Sequence, residues 1–458
     1  VLGADGSRRT ILARLLAGVV RAPRGSIART SVFEYGRDVH WVSFEEQQRL
    51  WERENRHDIS EFEPRAMDVG TTVETLIRGV RARDAHDEGL FDELLSRLSL
   101  ATLRDRGCRY LSSGQIRRAL IARAFYAARG DHCQLLLLDD PLASIDRQSQ
   151  ALIRASISAL RPGNSVLVEL CRRPQDRLAG ASHLALMGIH ERDGVRRMQV
   201  LASGPAAIVE SCQAYREFCA PSRFRPDMLD SLLAEQARKE ALIPSDGTPL
   251  LHLRDVSASY GENRVLSSLN WEMRPQDNVL LAGPNGCGKS TLLALIDGDS
   301  HKGYGQDLWL FGRRKGSGET LWETKRYFGV VSNELHNRYL KGWRAGEVVL
   351  SGFFDSEGLY TEAGSSQVAL ARRWLGALCL PELFDRPYAG LSFGQQRLGL
   401  LARAMVKSPR ILVLDEACVG LDNEHREIVL RSVDRVVERT RTRLLFVSHS
   451  FDELPSSI

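Results

Sequence analysis

The chain alternates short apolar runs with longer segments in which apolar residues recur at helical spacing. Three of the apolar runs in the second half, "NVLLAG", "ILVLDE" and "LLFVSH", end at polar residues. In a parallel sheet, ligand sites lie beyond the carboxyl ends of the strands, where such polar residues collect. The segments between the runs predict amphipathic helices that flank the sheet. This pattern predicts an α/β fold built on a mostly parallel sheet.

The same landmarks occur twice along the chain. "LSSGQ" in the first half matches "LSFGQ" in the second, and "LLLLDDPLASID" matches "ILVLDEACVGLD". The matched positions, 276 to 280 residues apart, are Gly3 and Gly283, Leu111 and Leu391, Asp139 and Asp415, Asp146 and Asp422, and Arg172 and His449. Landmarks that keep one order and nearly one spacing indicate an internal repeat. We therefore predict two copies of one α/β domain.

The repeat also sets the predicted domain boundaries. A chain of 458 residues is too long for one ordinary core. We assign the first domain to residues 1–205 and the second to residues 249–458. Residues 206–248 change character, because "PAAIVESCQAYREFCA" and "PDMLDSLLAEQARKEALI" are typical of helices and "PSDGTP" of a break, so we predict a helical linker. The first loop begins with almost no strand ahead of it, and we expect further sequence beyond both ends.

Composition narrows the function classes only slightly. The 62 Lys and Arg residues against 58 Asp and Glu give a formal net charge of +4, too small to indicate nucleic-acid binding by itself. The eight cysteines show no CxxC or zinc spacing, which favours a reducing compartment, cytoplasmic or mitochondrial. No apolar run approaches the roughly 20 residues of a membrane helix. We expect an intracellular protein with no transmembrane segment in this chain.

The second copy contains a complete phosphate-binding loop, "GPNGCGKST" at 283–291. Backbone N–H groups at its glycines converge on phosphate oxygens, Lys289 reaches the β and γ phosphates, and the Ser290 hydroxyl binds Mg²⁺. Tyr260 lies where its ring can stack on adenine; an edge-strand tyrosine without that role is the alternative. The predicted nucleotide-binding residues of the loop are Gly283, Asn285, Gly286, Gly288, Lys289, Ser290 and Thr291.

Polar residues that follow three further predicted strands complete this site. Asp415 can hold the metal ion through water, and Glu416 beside it can polarise the attacking water. His449 lies where it can touch the γ phosphate. Asn333 in "VVSNELH" is expected to sense Mg²⁺, with Glu334 as a competing candidate. The predicted catalytic residues are therefore Lys289, Glu416 and His449.

The set "GPNGCGKST", "LSFGQ", "ILVLDE", "GLD" and "VSHS" resembles the ATPase domain of ABC proteins, and the repeat means two such domains in tandem. The stretch "SNELHNRYLKGWRAGEVVLSGFFDSEGLY" resembles the tandem ABC proteins related to bacterial ModF and their fungal counterparts, which lack a membrane domain. The resemblance implies an α-helical signature subdomain in each domain. It also implies a head-to-tail pair within one monomer, with each ATP held between the phosphate loop of one domain and the signature of the other.

The signature segments have residue types suited to that role. A serine and a glycine at the start of a helix direct N–H groups at an anion. The resemblance assigns to the second-domain loop the first-domain signature residues Ser112, Ser113, Gly114 and Gln115. It assigns to the first-domain loop the residues Ser392, Gly394 and Gln395, with Phe393 in place of a glycine.

The first-copy loop, "GADGSRRTI", departs from this pattern. Gly3, Gly6 and the hydroxyl of Thr10 are retained. Arg8 replaces a glycine and adds a long side chain where backbone normally approaches phosphate, so a distorted loop is expected. Arg9 keeps the charge of the lysine, but its planar guanidinium does not substitute cleanly for a compact ammonium.

The catalytic positions of the first copy also differ from the family pattern, and these differences too are expected to impair the site. Asp139 is retained as a metal carboxylate, but Asp140 replaces glutamate, and a misplacement of about 1 Å can cost on the order of 100-fold in rate. Arg172 stands at the histidine position and Phe44 at the amide position. We predict one competent site on the second-domain loop and one slow or inactive site, which either retains nucleotide or has lost it.

The ATPase motifs do not specify which cellular process ATP hydrolysis drives. One hypothesis is ATP-driven remodelling of a protein partner or of a separate membrane component. A second is an ABC-F-like translation factor on ribosomes, although the short linker of mixed charge counts against it. A third is a scaffold that nucleotide holds closed with little turnover.

Overall fold

The computed structural model describes residues 1–4, 9–21, 37–43, 46–47, 49–50, 53–54, 70–80, 87–128, 133–142, 145, 147–161, 163–192, 195–220, 224, 226–241, 247–260, 263–283, 287–298, 300–339, 342–448 and 454–458. These residues form two compact units, Val1–Ala220 and Pro221–Ile458. The division lies inside the segment 206–248, which is predicted as a linker. The domain boundaries 1–205 and 249–458 stay predictions.

The first unit is built on strands whose inner members run parallel. The strands are β1 (Leu2–Gly3), β2 (Val39–Val42), β3 (Gln134–Asp139), β4 (Ser165–Leu170), β5 (His183–Arg192) and β6 (Val195–Pro205). β2, β3 and β4 pair in that order in parallel register. Leu2 of β1 bridges to Cys171, directly after β4, in the same direction, and β5 pairs parallel with β1 and antiparallel with β6. The order from edge to edge is therefore β2-β3-β4-β1-β5-β6.

The helices of the first unit contribute most of its apolar core. They are α1 (Arg9–Leu16), α2 (Val73–Arg78), α3 (Glu88–Arg97), α4 (Ser113–Ala127), α5 (Arg147–Leu160), α6 (Ala206–Ser211) and α7 (Gln213–Phe218). α4 supplies a continuous set of buried side chains between α2, α3 and the strand β3, among them Leu120 and Phe125. This packing fixes the start of α4, where the signature segment lies.

The second unit contains two sheets. The strands are β7 (Leu251–Tyr260), β8 (Asn263–Met273), β9 (Val279–Ala282), β10 (Asp307–Leu310), β11 (Arg313–Arg314), β12 (Phe328–Val331), β13 (Ile411–Asp415) and β14 (Arg443–Ser448). The order β12-β13-β14-β9 is entirely parallel, and β11-β10-β7-β8 is antiparallel. Ile411 to Leu414 of β13 are all buried, which is typical of a parallel strand covered on both faces.

The second unit has helices α8 (Pro226–Ala241), α9 (Lys289–Asp297), α10 (Leu321–Lys325), α11 (Asn333–Arg338), α12 (Ala345–Ser351), α13 (Ser365–Ala377), α14 (Phe393–Met405) and α15 (Asn423–Arg439). α8 lies in the predicted linker but packs into the core of this unit. Its Leu229 and Leu233 are completely buried, and Asp230 lies 3.7 Å from Arg439 of α15. Within the predicted linker, α8 therefore belongs to the second unit, whereas α6 and α7 belong to the first.

The two units repeat one strand order. β2-β3-β4-β1 of the first unit corresponds to β12-β13-β14-β9 of the second, as the spacing of the sequence landmarks requires. The prediction of two tandem α/β domains with mostly parallel sheets and helical subdomains is confirmed. Among the described residues, no helix is both long enough and apolar enough to cross a membrane.

Candidate functional site

The phosphate-binding loop of the second unit follows β9 and leads into α9. Gly283 has φ 157° and Gly288 has φ 97°, values in the left-handed region that favours glycine. A Cβ atom at Gly288 would lie 2.9 Å from Leu266, so close packing also requires glycine there. α9 begins at Lys289 without a side-chain N-cap, so an anion can satisfy its first-turn N–H groups.

The polar side chains of this loop lie at the start of α9. Nζ of Lys289 donates to the Gly283 carbonyl at 2.8 Å, so the ammonium is folded across its own loop. Ser290 is exposed and Thr291 is half-buried. The arrangement offers one cation, hydroxyl groups and backbone N–H groups within a single turn of chain, a set suited to a polyphosphate.

Backbone register places the acidic pair level with the loop. Asp415, the last residue of β13, pairs with Val447 of β14, which pairs in turn with Leu281 of β9. Glu416 follows with φ 51°, and its N–H donates to the Val447 carbonyl at 3.1 Å. Both acidic side chains are half-buried. The structure therefore brings Asp415 and Glu416 to the same end of the sheet as the phosphate loop.

Asn333 lies at the same end of the sheet, after β12. Val331 pairs with Leu414, so the chain leaves β12 beside the acidic pair. Ser332 caps α11 by accepting a hydrogen bond from the Leu335 N–H at 3.1 Å. The Asn333 Oδ1 atom accepts a hydrogen bond from the Arg397 guanidinium. The amide is thus held at the start of the helix and not left to rotate freely.

The two signature segments have the same local geometry. Ser112 caps α4: its Oγ accepts from the Gln115 N–H at 3.3 Å, and its own N–H donates to Oε1 of Gln115 at 2.9 Å. Ser392 and Gln395 repeat this capping box at the start of α14, with distances of 3.3 and 3.0 Å. Such reciprocal capping fixes the serine at the end of the helix while its hydroxyl hydrogen can still be donated.

The glycine of the second signature segment is required by packing. A Cβ atom at Gly394 would overlap the imidazole ring of His425. That ring is itself held by Asp422, whose Oδ1 lies 2.8 Å from Nδ1 of His425. Ser113 and Gly114 of the first signature segment occupy the corresponding first turn of α4.

Several predicted residues cannot be placed in this geometry. Tyr260 ends β7 and pairs with Asn263, but its side chain and that of Glu334 are not described. The predicted residues that fall outside the described part of the chain are Gly6, Arg8, Phe44, Asp146, Asn285, Gly286 and His449. Their roles stay predictions.

In the first unit, the charged side chains at the corresponding positions contact one another. Arg9, at the lysine position, donates from Nη1 to the Ala4 carbonyl at 3.1 Å and lies 3.5 Å from Asp140 through Nη2. Arg172, at the histidine position, lies 2.9 Å from the same Oδ2 atom of Asp140 through Nε. Asp140 has φ 46°, close to the value of Glu416, so the backbone is alike and the side-chain partners differ.

Asp139 of the first unit is bonded within the same cluster. The Thr10 hydroxyl donates to its Oδ2 atom at 2.8 Å. Burial raises the pKa of Asp139 to about 6, and the neighbouring Asp140 carboxylate adds to this, while Thr10, Arg9 and Arg172 oppose it. Arg9 and Asp140 are only 7% and 9% exposed, so these ion pairs are little screened by solvent.

The raised pKa of Asp139 predicts a stabilising substitution. Above pH 6 the folded unit holds this carboxylate ionised against its burial, whereas below the ordinary value of 3.8 both the folded and unfolded states are protonated. Asp139→Asn is therefore expected to raise the free energy of unfolding by up to about 3 kcal/mol at pH 7, with the gain shrinking as pH falls from 6 towards 4. Denaturant unfolding of both proteins between pH 4.5 and 7.5 measures this; a difference that stays constant with pH would contradict it.

Sequence reasoning missed two buried arginines beneath these sites. Arg117 of α4 and Arg397 of α14 are 0% and 1% exposed, and burial lowers the pKa of each to about 10, so both stay cationic near neutral pH. Arg117 donates to Oε1 of Gln47 at 2.9 Å and to the Asp140 carbonyl at 3.1 Å. The available signal was a charged residue at an otherwise apolar position two residues after each signature glutamine.

The second-unit site has a donor set that fits Mg²⁺ with a phosphate ligand. Among the described residues, no group of three or more His, Cys, Asp or Glu side chains could hold a metal ion. Mg²⁺ usually keeps several waters and binds through one or two carboxylates together with substrate phosphates. Ser290 and Asp415 offer one hydroxyl and one carboxylate, and the uncapped start of α9 can take the phosphates.

Comparison with known proteins gives the same assignment for both halves of the chain. The sequence profile of a family described as "ABC transporter" matches residues 1–143 and 266–419. The ABC transporter ATP-binding protein ModF of Escherichia coli (strain K12) is 33% identical over 470 aligned residues, which cover 100% of this chain and 89% of ModF. An uncharacterized ABC transporter ATP-binding protein of Schizosaccharomyces pombe is 26% identical, with 100% and 90% covered.

Solved structures share the fold at lower identity. A structure reported as "RNase-L Inhibitor" has a TM-score of 0.55 and 17% identity, covering 99% of this chain and 80% of that protein. The archaeal ribosome recycling factor aABCE1, in complex with the ribosomal stalk protein aP1, has a TM-score of 0.54 and 16% identity with the same coverage. At this identity the likeness concerns the fold.

Proposed function

The chain belongs to the ABC transporter family of ATP-binding proteins, and from this premise we propose that it is an ATPase with one competent and one impaired site. Binding and hydrolysis of ATP with Mg²⁺ are the general activity of the family. The competent site is built on the second-unit loop with Lys289 and Ser290, together with Asp415 and Glu416. The impaired site is built on the first-unit loop.

The observation that carries this asymmetry is the Arg9–Asp140–Arg172 cluster. In the first unit both guanidinium groups face the carboxylate that stands at the position of Glu416. Both contacts involve the Oδ2 atom of Asp140, so the protein's own cations already engage the carboxylate that would have to orient the attacking water. In the second unit the lysine bonds to its own loop carbonyl at 2.8 Å, a contact that a phosphate can replace.

Each residue of the competent site has a defined task in this proposal. Lys289 and the first-turn N–H groups of α9 bind the β and γ phosphates. Ser290 and Asp415 hold Mg²⁺, which supplies neutralisation of phosphate charge when it is bound. Glu416 orients the attacking water and takes up its proton, and His449 contacts the γ phosphate. Tyr260 stacks on the adenine ring.

We further propose that each nucleotide is completed by the signature segment of the other unit. The capping boxes support this, because they hold Ser112 and Ser392 at helix starts with a donor hydroxyl available. Ser112, Ser113, Gly114 and Gln115 would then complete the competent site. Ser392, Gly394 and Gln395 would complete the impaired one, where Phe393 adds bulk in place of glycine.

In this proposal, ATP hydrolysis drives remodelling of a protein partner or of a separate membrane component. The alternative of an ABC-F-like factor on ribosomes is less well supported. Such a factor would use its linker to reach the ribosome, but α8 of the predicted linker is packed into the core of the second unit. The experiment is co-sedimentation of Glu416→Gln protein, loaded with ATP, with ribosomes and separately with membrane vesicles. Ribosome binding that depends on ATP would favour the translation factor.

ATP hydrolysis by the purified chain separates the enzyme from a scaffold. The proposal expects Mg²⁺-dependent release of phosphate well above that of Glu416→Gln protein. Equal rates for the two proteins, with ATP binding retained by both, would contradict the enzyme and leave a scaffold held by nucleotide.

A further inference from the structure

Arg397 links the signature helix α14 to the segment that leads from β12 into the candidate site. Its Nη1 donates to the Ser332 carbonyl at 2.8 Å, and its Nη2 donates to Oδ1 of Asn333. The side chain is 1% exposed. A buried guanidinium that makes charge-assisted hydrogen bonds to two successive residues fixes both the backbone and the side chain of that segment.

Aromatic packing limits the movement of this guanidinium. Its Cζ atom lies 5.2 Å from the centre of the Phe393 ring, and that ring lies 4.8 Å from the ring of His336 on α11. His336 is buried, and burial together with the Arg397 charge lowers its pKa to about 4. The imidazole is therefore neutral at neutral pH and does not repel Arg397.

The charge of Arg397 is also balanced by the site itself. Burial lowers the pKa of Arg397, and the nearby carboxylates of Asp415 and Glu416 oppose that effect by favouring the charged guanidinium. The cation that holds the Asn333 amide thus also attracts the two acidic residues at the end of the neighbouring strand β13. Removal of the Arg397 guanidinium would release the Asn333 amide and leave the negative charges of Asp415 and Glu416 less well compensated.

In the first unit, the arginine at the matching position, Arg117, has different partners. Arg117 is bonded to Gln47, which corresponds to His336, and to the Asp140 carbonyl. The residue that corresponds to Asn333 is Phe44, which has no amide group to receive a guanidinium. The arginine is present in both units, but its contact with a candidate Mg²⁺-sensing amide belongs to the second.

We propose that Arg397 is a positioning residue for Mg²⁺ at the second-unit site: by holding Ser332 and Asn333 against the signature helix, it fixes the Asn333 amide beside Asp415 and Glu416. The inference rests on the proposed function, since the amide matters only if this site binds Mg²⁺ with ATP. Arg397 itself touches neither ligand.

The experiment compares Arg397→Lys with Arg403→Lys. Arg403 is a matched control, because it is also a buried arginine of α14, but it donates to the Tyr339 hydroxyl, Ser351 and the Ser356 carbonyl. A fluorescent ATP analogue is titrated against each protein with and without Mg²⁺, and Mg²⁺ is titrated at fixed nucleotide. Thermal unfolding reports the stability of each variant.

The expected result for Arg397→Lys is an apparent Mg²⁺ dissociation constant about tenfold higher, because loss of a partner that orients a metal ligand typically weakens metal binding by that order. Nucleotide affinity without Mg²⁺ is expected to stay within about twofold, since Lys289 and the loop provide it. Arg403→Lys is expected to change stability but neither binding constant.

Two further variants keep the test decisive. In an Asn333→Ala background, Arg397→Lys is expected to add no further Mg²⁺ shift, because the arginine acts through the amide. If Arg397→Lys does not fold, Phe393→Leu removes the ring packed on the guanidinium and is expected to shift the Mg²⁺ constant in the same direction by a smaller factor.

An unchanged or lower Mg²⁺ constant in a folded Arg397→Lys protein would overturn the inference. A lower constant would mean that the arginine competes with Mg²⁺ for the amide. Failure of the wild-type protein to bind the ATP analogue would instead overturn the proposed function, so the two failures are distinguishable.

Discussion

Lys289→Ala is expected to lower ATP hydrolysis by at least about 100-fold, the order of loss seen when a preorganised charge partner of a transition state is removed. The Lys289 ammonium lies 2.8 Å from the Gly283 carbonyl, and Lys289 is the one cationic side chain among the loop residues that the structure describes. Alanine cannot replace either its charge or its reach. Steady-state release of inorganic phosphate at saturating ATP measures the loss.

Arg9→Ala is the matched control at the corresponding position of the first unit. Because Arg9 is held between the Ala4 carbonyl and Asp140, its removal is expected to change the hydrolysis rate by no more than about threefold. Loss of its contact with buried Asp140 is expected to destabilise the first unit by roughly 1–3 kcal/mol. Similar losses of activity in the two variants would contradict the assignment of the sites.

Glu416→Gln is expected to lower kcat by about 100- to 10,000-fold, the contribution of a general base, while ATP binding is retained. Glu416 stands directly after Asp415 at the end of β13, with φ 51° and its N–H bonded to Val447. Glutamine keeps the size and hydrogen-bonding capacity of the side chain but not its basicity. The measurement combines single-turnover hydrolysis with titration of a fluorescent ATP analogue.

The result of this substitution separates catalysis from folding. A loss of both kcat and nucleotide affinity, with a lower midpoint of thermal unfolding, would indicate a damaged second unit and not a missing base. An unchanged kcat would exclude Glu416 from the reaction.

The repeat was sufficient to predict the architecture. Matched landmarks 276 to 280 residues apart require the same order of elements in both halves, and β2-β3-β4-β1 does correspond to β12-β13-β14-β9. The apolar runs that end at polar residues also placed Asp415 correctly at the end of β13. These features are local in sequence, because a strand and the residue that ends it are neighbours along the chain.

The contacts that distinguish the two sites could not be predicted in this way. Arg9 begins α1, Asp140 follows β3 and Arg172 follows β4, so tertiary packing brings the three residues together. The sequence shows only that each differs from its counterpart in the second copy. The bond between Arg397 and Asn333 joins residues that are 64 positions apart. Pairings at such separations depend on tertiary packing, which local patterns do not encode.

The predicted linker is a second case in which the local pattern predicted an element but not its tertiary contacts. Its helical pattern is real, since α8 spans Pro226–Ala241. Composition alone did not reveal that Leu229 and Leu233 are completely buried within the second unit. An amphipathic helix indicates that it has a partner, but the identity of the partner depends on the surface it meets.

Asp140→Asn and Glu416→Gln, compared side by side for steady-state ATP hydrolysis, test the central claim of one competent and one impaired site most directly. Both substitutions replace one carboxylate by an amide directly after the last residue of a corresponding strand, β3 or β13. We predict that Glu416→Gln loses at least about 100-fold in rate, whereas Asp140→Asn stays within about threefold of the wild-type protein. Equal losses, or a greater loss in Asp140→Asn, would contradict the account.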